Sequence, residues 1–88
     1  MLDVEIVSQK ELCWRGDATQ VIVPGQGGSL GIMTNHTPFL TLLEKGQVIV
    51  NDAQGVQRIF EIEGDAFASL SANQIIIVAD TVEYDSKA

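Results

Sequence analysis

Cysteine is nearly absent from this chain. Cys13 stands alone, so no internal disulfide can form, and the composition fits a reducing compartment. Basic residues are few as well. Five Lys and Arg stand against 12 Asp and Glu, for a net charge of −7. Lys10, Arg15, Lys45, Arg58 and Lys87 are scattered along the sequence, without the clustering that nucleic-acid binding needs. The same shortage disfavours adhesion to anionic lipid, where each basic residue contributes about 1 kcal/mol. No apolar run nears the ~18 residues of a membrane span, so direct lipid insertion is not expected. Asp3 and Glu5 lie near the amino terminus, where a secretory signal would carry bases. Together these absences predict a soluble intracellular protein. Helix signals are missing too: no stretch of ten or more residues repeats apolar positions at a 3.6-residue period.

What is present is β structure. The 88 residues suit one domain. At this mass folding buries roughly 63% of the chain's surface. The apolar part of that burial and the ordering of the chain come to about 130 kcal/mol each. The margin is thin, and a permanent partner would suit such a domain. Leu2, Val4 and Ile6 alternate with Asp3 and Glu5, the pattern of a half-buried strand. Residues 8–11 turn the chain. Residues 12–14 read as a short strand closed by a turn at Arg15-Gly16-Asp17, and 19–23 as another, stopped by Pro24-Gly25. Further strands follow at 30–33 and 39–43. Residues 47–51 and 56–63 form the clearest hairpin, across Asp52-Ala53-Gln54-Gly55. Gly64-Asp65 leads to a strand at 67–71, and Ala72-Asn73-Gln74 is a tight turn. The apolar run Ile75-Ile76-Ile77-Val78-Ala79 suggests a strand covered on both faces. From Asp80 the chain is polar and acidic and reads as extended. Short strands with turn signals every eight to twelve residues predict an all-β fold. The expectation is a small β-sandwich or flattened barrel of about eight to ten short strands over residues 1–84, with a short acidic tail at 85–88.

One stretch, 25–41, differs from the rest. It holds Gly25, Gly27, Gly28 and Gly31, the single histidine His36, Pro38, and bulky Leu30, Ile32, Met33, Phe39 and Leu40. Glycine permits positive φ and close approach by a neighbour, and exposed loops on a rigid scaffold carry binding. Gly25-Gln26-Gly27 begins a dinucleotide fingerprint, but Leu30 stands at its third glycine, no Lys-Ser/Thr pair follows, and a strand replaces the required helix. The glycines therefore read as turn formers beside a packed strand. A metal site at His36 would need further ligands converging on it. A triad using Ser29 or Ser71 lacks a nucleophile motif. No catalytic residue, metal or cofactor is expected, and His36 reads as an exposed contact residue. Asn35-His36-Thr37 fits a glycosylation sequon by chance in such a chain. Trp14 reads as core or partner-facing, and Glu61 with Glu63 as a solvated face. From the residues alone, the chain is an acidic all-β binding module with one unusual loop.

The order of the residues adds a resemblance. Val21-Ile22-Val23-Pro24-Gly25-Gln26-Gly27-Gly28-Ser29-Leu30-Gly31-Ile32-Met33-Thr34-Asn35-His36-Thr37-Pro38-Phe39-Leu40-Thr41, then Leu43 and Gly46, resembles the central pattern of the amino-terminal β-sandwich domain of F-type ATP synthase epsilon subunits. Glu63-Gly64-Asp65-Ala66-Phe67, then Asn73 through Val82 with Val78-Ala79-Asp80-Thr81, resembles a second pattern of that family, and Leu2 to Ser8 fits its opening. Ser29 replaces the family's usual acid, Thr34-Asn35 its Pro-Gly before the histidine, and Gly64-Asp65 its Gly-Gly. The helical hairpin that usually follows in the family has no counterpart in these residues.

The resemblance implies a rotor part that does no chemistry: a domain at the foot of the central stalk, clasping subunit gamma and resting on the membrane ring of c subunits. It would help couple proton flow to ATP synthesis, on the cytoplasmic face of the bacterial plasma membrane. The contacts implied with the c-ring are Ser29, Leu30, Gly31, Asn35 and His36; those with gamma are Ser8, Val78 and Asp80. Without the hairpin, neither inhibition by its extension nor ATP binding is expected. Two other classes compete: a free-standing binding module for a peptide or small ligand, with the glycine loop as its rim, and a small hydrolase using His36.

Overall fold

The computed structural model describes residues 1–84; the expected tail at 85–88 lies outside the described residues. Seven strands make up the described fold: β1 (Leu2–Ser8), β2 (Leu12–Gly25), β3 (Gly28–Met33), β4 (Phe39–Leu43), β5 (Gly46–Asp52), β6 (Gln57–Ser71) and β7 (Gln74–Tyr84). The fold class is the expected one. The strands are fewer and longer than the eight to ten predicted, because two apparent breaks lie inside strands.

The first is Arg15-Gly16-Asp17, which forms no turn. It runs through β2, with Gly16 opposite Val4 and Asp17 opposite Asp3. Glycine is required there by packing: a Cβ on Gly16 would stand 2.7 Å from Cζ2 of Trp14. The indole lies back over the glycine, with its ring 5.9 Å from that of Phe60. The second is Gly64-Asp65, a bulge in β6, where the register against β7 shifts between Glu63 and Ala66. Gly64 takes φ +85°, and a Cβ there would fall 2.5 Å from an Asp80 carboxylate oxygen. A bulge bends its strand and sharpens the twist, which lets β6 pass from one layer of the fold to the other. The polar stretch after Asp80, read as extended, is paired strand: residues 81–84 oppose Glu63, Ile62, Glu61 and Phe60.

The pairings β1–β2, β2–β5, β5–β6, β6–β7 and β7–β1 close a circuit. Among the described pairings only β1–β7 is parallel. β3 extends the circuit beside β2, and β4 beside β6. Flattened, this is a two-layer sandwich. One layer holds β4, the second half of β6, β7, β1 and the first half of β2. The other holds β3, the second half of β2, β5, the first half of β6 and the end of β7.

The core lies between the layers and follows the period-two alternation of the strands. β1 buries Leu2, Val4 and Ile6, β7 buries Ile75, Ile77 and Ala79, and Val21, Val23, Ile32, Val48, Val50, Phe60 and Ile62 fill the other layer. One buried carboxylate organises the β5–β6 turn. Asp52, 5% exposed, accepts the Gln54 and Val56 amides at 2.9 Å each, and Arg58 Nε donates to it at 3.0 Å. The amide of Val56, followed by the Arg58 guanidinium, holds its carboxyl below the usual carboxylate range against the opposing effect of burial. The same guanidinium sits 5.5 Å from the Trp14 ring centroid.

Candidate functional site: two outer faces and a clasped loop

The first feature is the outer face of the β4-β6-β7-β1-β2 layer. Register places Leu42 beside Phe67, Phe67 beside Val78, Val78 beside Val7, and Val7 beside Leu12. These neighbours form one continuous row across five strands. Leu42 is 59% exposed, Leu12 53% and Phe67 37%, while Val78 and Val7 are half-buried. The parallel row adds exposed Leu40 and half-buried Ile76, beside Ser69, Glu5 and Arg15. The expected strand covered on both faces is thus covered on one. Single exposed apolar residues are ordinary, but a contiguous patch marks an interaction surface.

Val78 and Asp80 lie at one end of this face, with Ser8 at the end of β1 on its other side, beside buried Ala79. Ser8 pairs beside Ala79, and its hydroxyl accepts the amides of Lys10 and Glu11 at 3.2 and 3.3 Å. Asp80 accepts the Asp65 amide and the Gln9 side-chain amide, each at 2.9 Å. Both residues therefore fix the rim of the row: Ser8 the β1–β2 turn and Asp80 the β6 bulge.

The second feature is the glycine-rich stretch. Gly25 pairs with Gly28 around a two-residue turn. Gly28 has φ +126°, and a Cβ on Gly25 would stand 2.9 Å from the Gly28 carbonyl oxygen. Those two glycines serve the turn. Gly31 does not: a Cβ there would meet only Gln20 Nε2, at 3.7 Å, an ordinary contact. Gly31 and Ser29 lie on the exposed outer side of β3, beside Ile22 and Pro24. Leu30 lies on the opposite side, half-buried opposite Val23 and packed against the core. Its exposure is intermediate, with its packed side against the core.

Asn35 and His36 sit beyond the far end of β3, roughly 13 Å of strand from Ser29 to Met33 at about 3.3 Å per residue. The five residues suggested for one surface thus divide between the two sides of a strand and a loop. The amide of His36 donates to the Met33 carbonyl at 3.3 Å, closing a turn whose third residue, Asn35, has φ 68°. His36 Nδ1 lies 2.9 Å from the Thr37 carbonyl oxygen. A carbonyl only accepts, so Nδ1 carries the proton in this bond. The imidazole meets Phe39 edge-on at 5.4 Å. The groove of about 340 Å³ beside Lys45, Glu61, Glu63 and Glu83 is lined by none of residues 25–41.

Sequence reasoning missed Leu42, Phe67, Val7 and Leu12 as surface residues. Alternation within each strand marked their sides. Only the pairing across strands shows that they meet.

The sequence model of the ATP synthase Delta/Epsilon chain β-sandwich domain matches residues 1–85. The cyanelle ATP synthase epsilon chain of Cyanophora paradoxa is 31% identical over 83 residues, covering 94% of this chain and 61% of that relative. The epsilon chain of Alkalilimnicola ehrlichii is 34% identical over 80 residues, covering 91% and 56%. The chain thus spans little more than half the length of these relatives. Among solved structures, a chain of the Euglena gracilis mitochondrial ATP synthase OSCP/F1/c-ring assembly superposes with TM-score 0.84 at 15% identity, covering 94% of this chain and 52% of that one. A chain of the Tetrahymena thermophila central stalk/c-ring assembly gives 0.74 at 15% identity, covering 93% and 65%. At that identity the two structures speak to the fold, and the sequence match speaks to descent. Residues 1–85 make this chain a member of the ATP synthase delta/epsilon family, in its β-sandwich domain.

Proposed function

We propose that the chain is a non-catalytic central-stalk subunit of a proton-translocating F-type ATP synthase, joining subunit gamma to the c-ring. The observation that carries this reading is the row Leu42, Phe67, Val78, Val7 and Leu12 on the outer face of one layer. A small, thinly stable domain that displays such a row gains from a permanent apolar partner. Gamma is the partner assigned to it, with Ser8 and Asp80 shaping the rim.

The ring contact is assigned to Ser29 and Gly31 on the β3 face and to Asn35 and His36 in the following loop. Gly31 supports this, because its missing side chain answers no need of the fold and leaves room for another backbone. The mechanical demand on such a link is stiffness. A closed circuit of hydrogen-bonded strands meets it, since the layers cannot slide without breaking ladders at both ends. In this role the domain is peripheral, on the cytoplasmic face of a bacterial plasma membrane. It requires no cofactor, and the described residues are assigned no ATP site.

Calorimetric titration of the purified chain against purified gamma tests the reading, with detergent-solubilised c-ring and ATP as separate titrants. One-to-one binding to gamma, association with the ring and no heat from ATP are expected. A folded gamma that leaves the chain free in solution refutes the assignment.

A further inference from the structure

Two asparagines far apart in sequence meet beside the loop that carries His36. Asn35, with φ 68°, occupies the third position of the turn after β3, and Asn73, with φ 63°, the third position of the β6–β7 turn. The backbone amide of Asn35 donates to Asn73 Oδ1 at 2.7 Å. Asn73 Nδ2 returns a longer bond to Asn35 Oδ1 at 3.4 Å. Asn73 is itself anchored, because the Asp3 amide of β1 donates to its carbonyl oxygen at 2.8 Å. A chain of contacts therefore runs from β1 through the β6–β7 turn to residue 35.

Residue type matters at both positions. Positive φ suits glycine, asparagine and aspartate. Of these, glycine has no side chain to bridge the two turns. Asparagine combines the backbone conformation with an amide that both donates and accepts. The loop at 34–38 needs such a tie, since it leaves β3 in one layer and enters β4 in the other.

We infer that Asn73 is the positioning residue of the His36 loop: its side chain holds residue 35 in one conformation and so sets the shape that the loop presents to a docking partner. The identity of that partner as the c-ring rests on the function proposed above. The clasp itself does not.

The test uses Asn73→Gly, which keeps the left-handed backbone and deletes the amide, and Asn73→Asp, which keeps an acceptor. Opposite the carboxylate that Asn73→Asp introduces, the Asn35 side chain can turn its NH₂ inward. Amide exchange followed by NMR is expected to show Asn35 opening roughly five- to tenfold more readily in Asn73→Gly, with displaced His36 ring resonances, and near-parental behaviour in Asn73→Asp. Affinity for solubilised c-ring should fall at least about threefold in the glycine variant, recover in the aspartate variant, and leave binding to gamma unchanged. Parental Asn35 exchange in Asn73→Gly overturns the inference. So does faster exchange with parental ring affinity, or an aspartate variant that behaves as the glycine one. A parent chain that ignores the ring refutes the proposed function instead, and the exchange and rescue arms then decide the clasp alone.

Discussion

Leu42→Asp should separate docking from folding. Leu42 is 59% exposed in the isolated domain, and full burial of a leucine is worth about 1.5–3 kcal/mol. A partner that covers it therefore gains about 1–2 kcal/mol from this residue. Leu12 at 53% and Phe67 at 37% exposure add about 1.5–2.5 kcal/mol together on the same basis. The three account for about 2.5–4.5 kcal/mol, on the order of a hundred- to a thousandfold in a dissociation constant. Leu42→Ala should cost roughly fivefold in affinity for gamma. Leu42→Asp should cost at least about a hundredfold, because a carboxylate must also be stripped of water against apolar neighbours. Both variants should melt within a few degrees of the parent, since surface changes usually stay within about 0.5 kcal/mol. Ile59→Asp is the control. Ile59 is also exposed, at 43%, but it stands beside Ile49 on the outer face of the other layer and should leave gamma affinity alone. Calorimetry with purified gamma and thermal melts of the free chains provide the readouts. If Leu42→Asp binds within threefold of the parent at an unchanged melting temperature, the row is not the docking face. If Ile59→Asp weakens binding equally, the effect is net charge rather than place.

Three further outcomes follow from the packing. Gly16→Ala should destabilise the fold by about 1–3 kcal/mol through its clash with Trp14, and Trp14→Leu in the same chain should recover part of that loss; urea denaturation of the single and double variants measures the coupling. Leu30→Asp should lower the melting temperature by roughly 8 °C or more, because a carboxylate facing Val23 and the core costs about 2 kcal/mol or more; an unshifted melt would mean that Leu30 is an exposed contact after all. Asp52 has a depressed folded-state pKa, so its contribution is fully present above the ordinary carboxylate value near pH 4 and is lost as pH falls through the lowered value, because the unfolded chain takes up the proton first. Urea midpoints from pH 6 down to pH 2 should therefore fall more steeply for the parent than for Asp52→Asn, and identical slopes would remove Asp52 from the account of acid stability.

Local chemistry is legible in the sequence where it acts locally. The alternation of Leu2, Val4 and Ile6, the hairpin across 52–55 and the turn at Ala72-Asn73 are each set within a few residues, by side-chain period and by which residues accept a turn. The ordered motif from Val21 to Gly46 pointed to the family for the same reason, since it needs only linear spacing. Where a neighbour distant in sequence decides, local signals mislead. Arg15-Gly16-Asp17 has the composition of a turn, yet the glycine answers to the indole of Trp14 lying over it. Gly64-Asp65 looks like a break, yet Asp80 captures the Asp65 amide and keeps β6 continuous. Leu30 sits among glycines in an exposed stretch, and the pairing of β3 with β2 turns it inward.

The candidate surfaces follow the same division. The sequence alone determined which residues of each strand share a side, because alternation is a property of one strand. Whether Leu42, Phe67, Val78, Val7 and Leu12 stand in line depends on register between five strands, and a shift of one residue in any pairing would scatter them. Whether Asn73 reaches Asn35 depends on two turns being brought to the same end of the sandwich. Those relations arise only when the chain closes on itself, so the tertiary structure decided where a partner can bind.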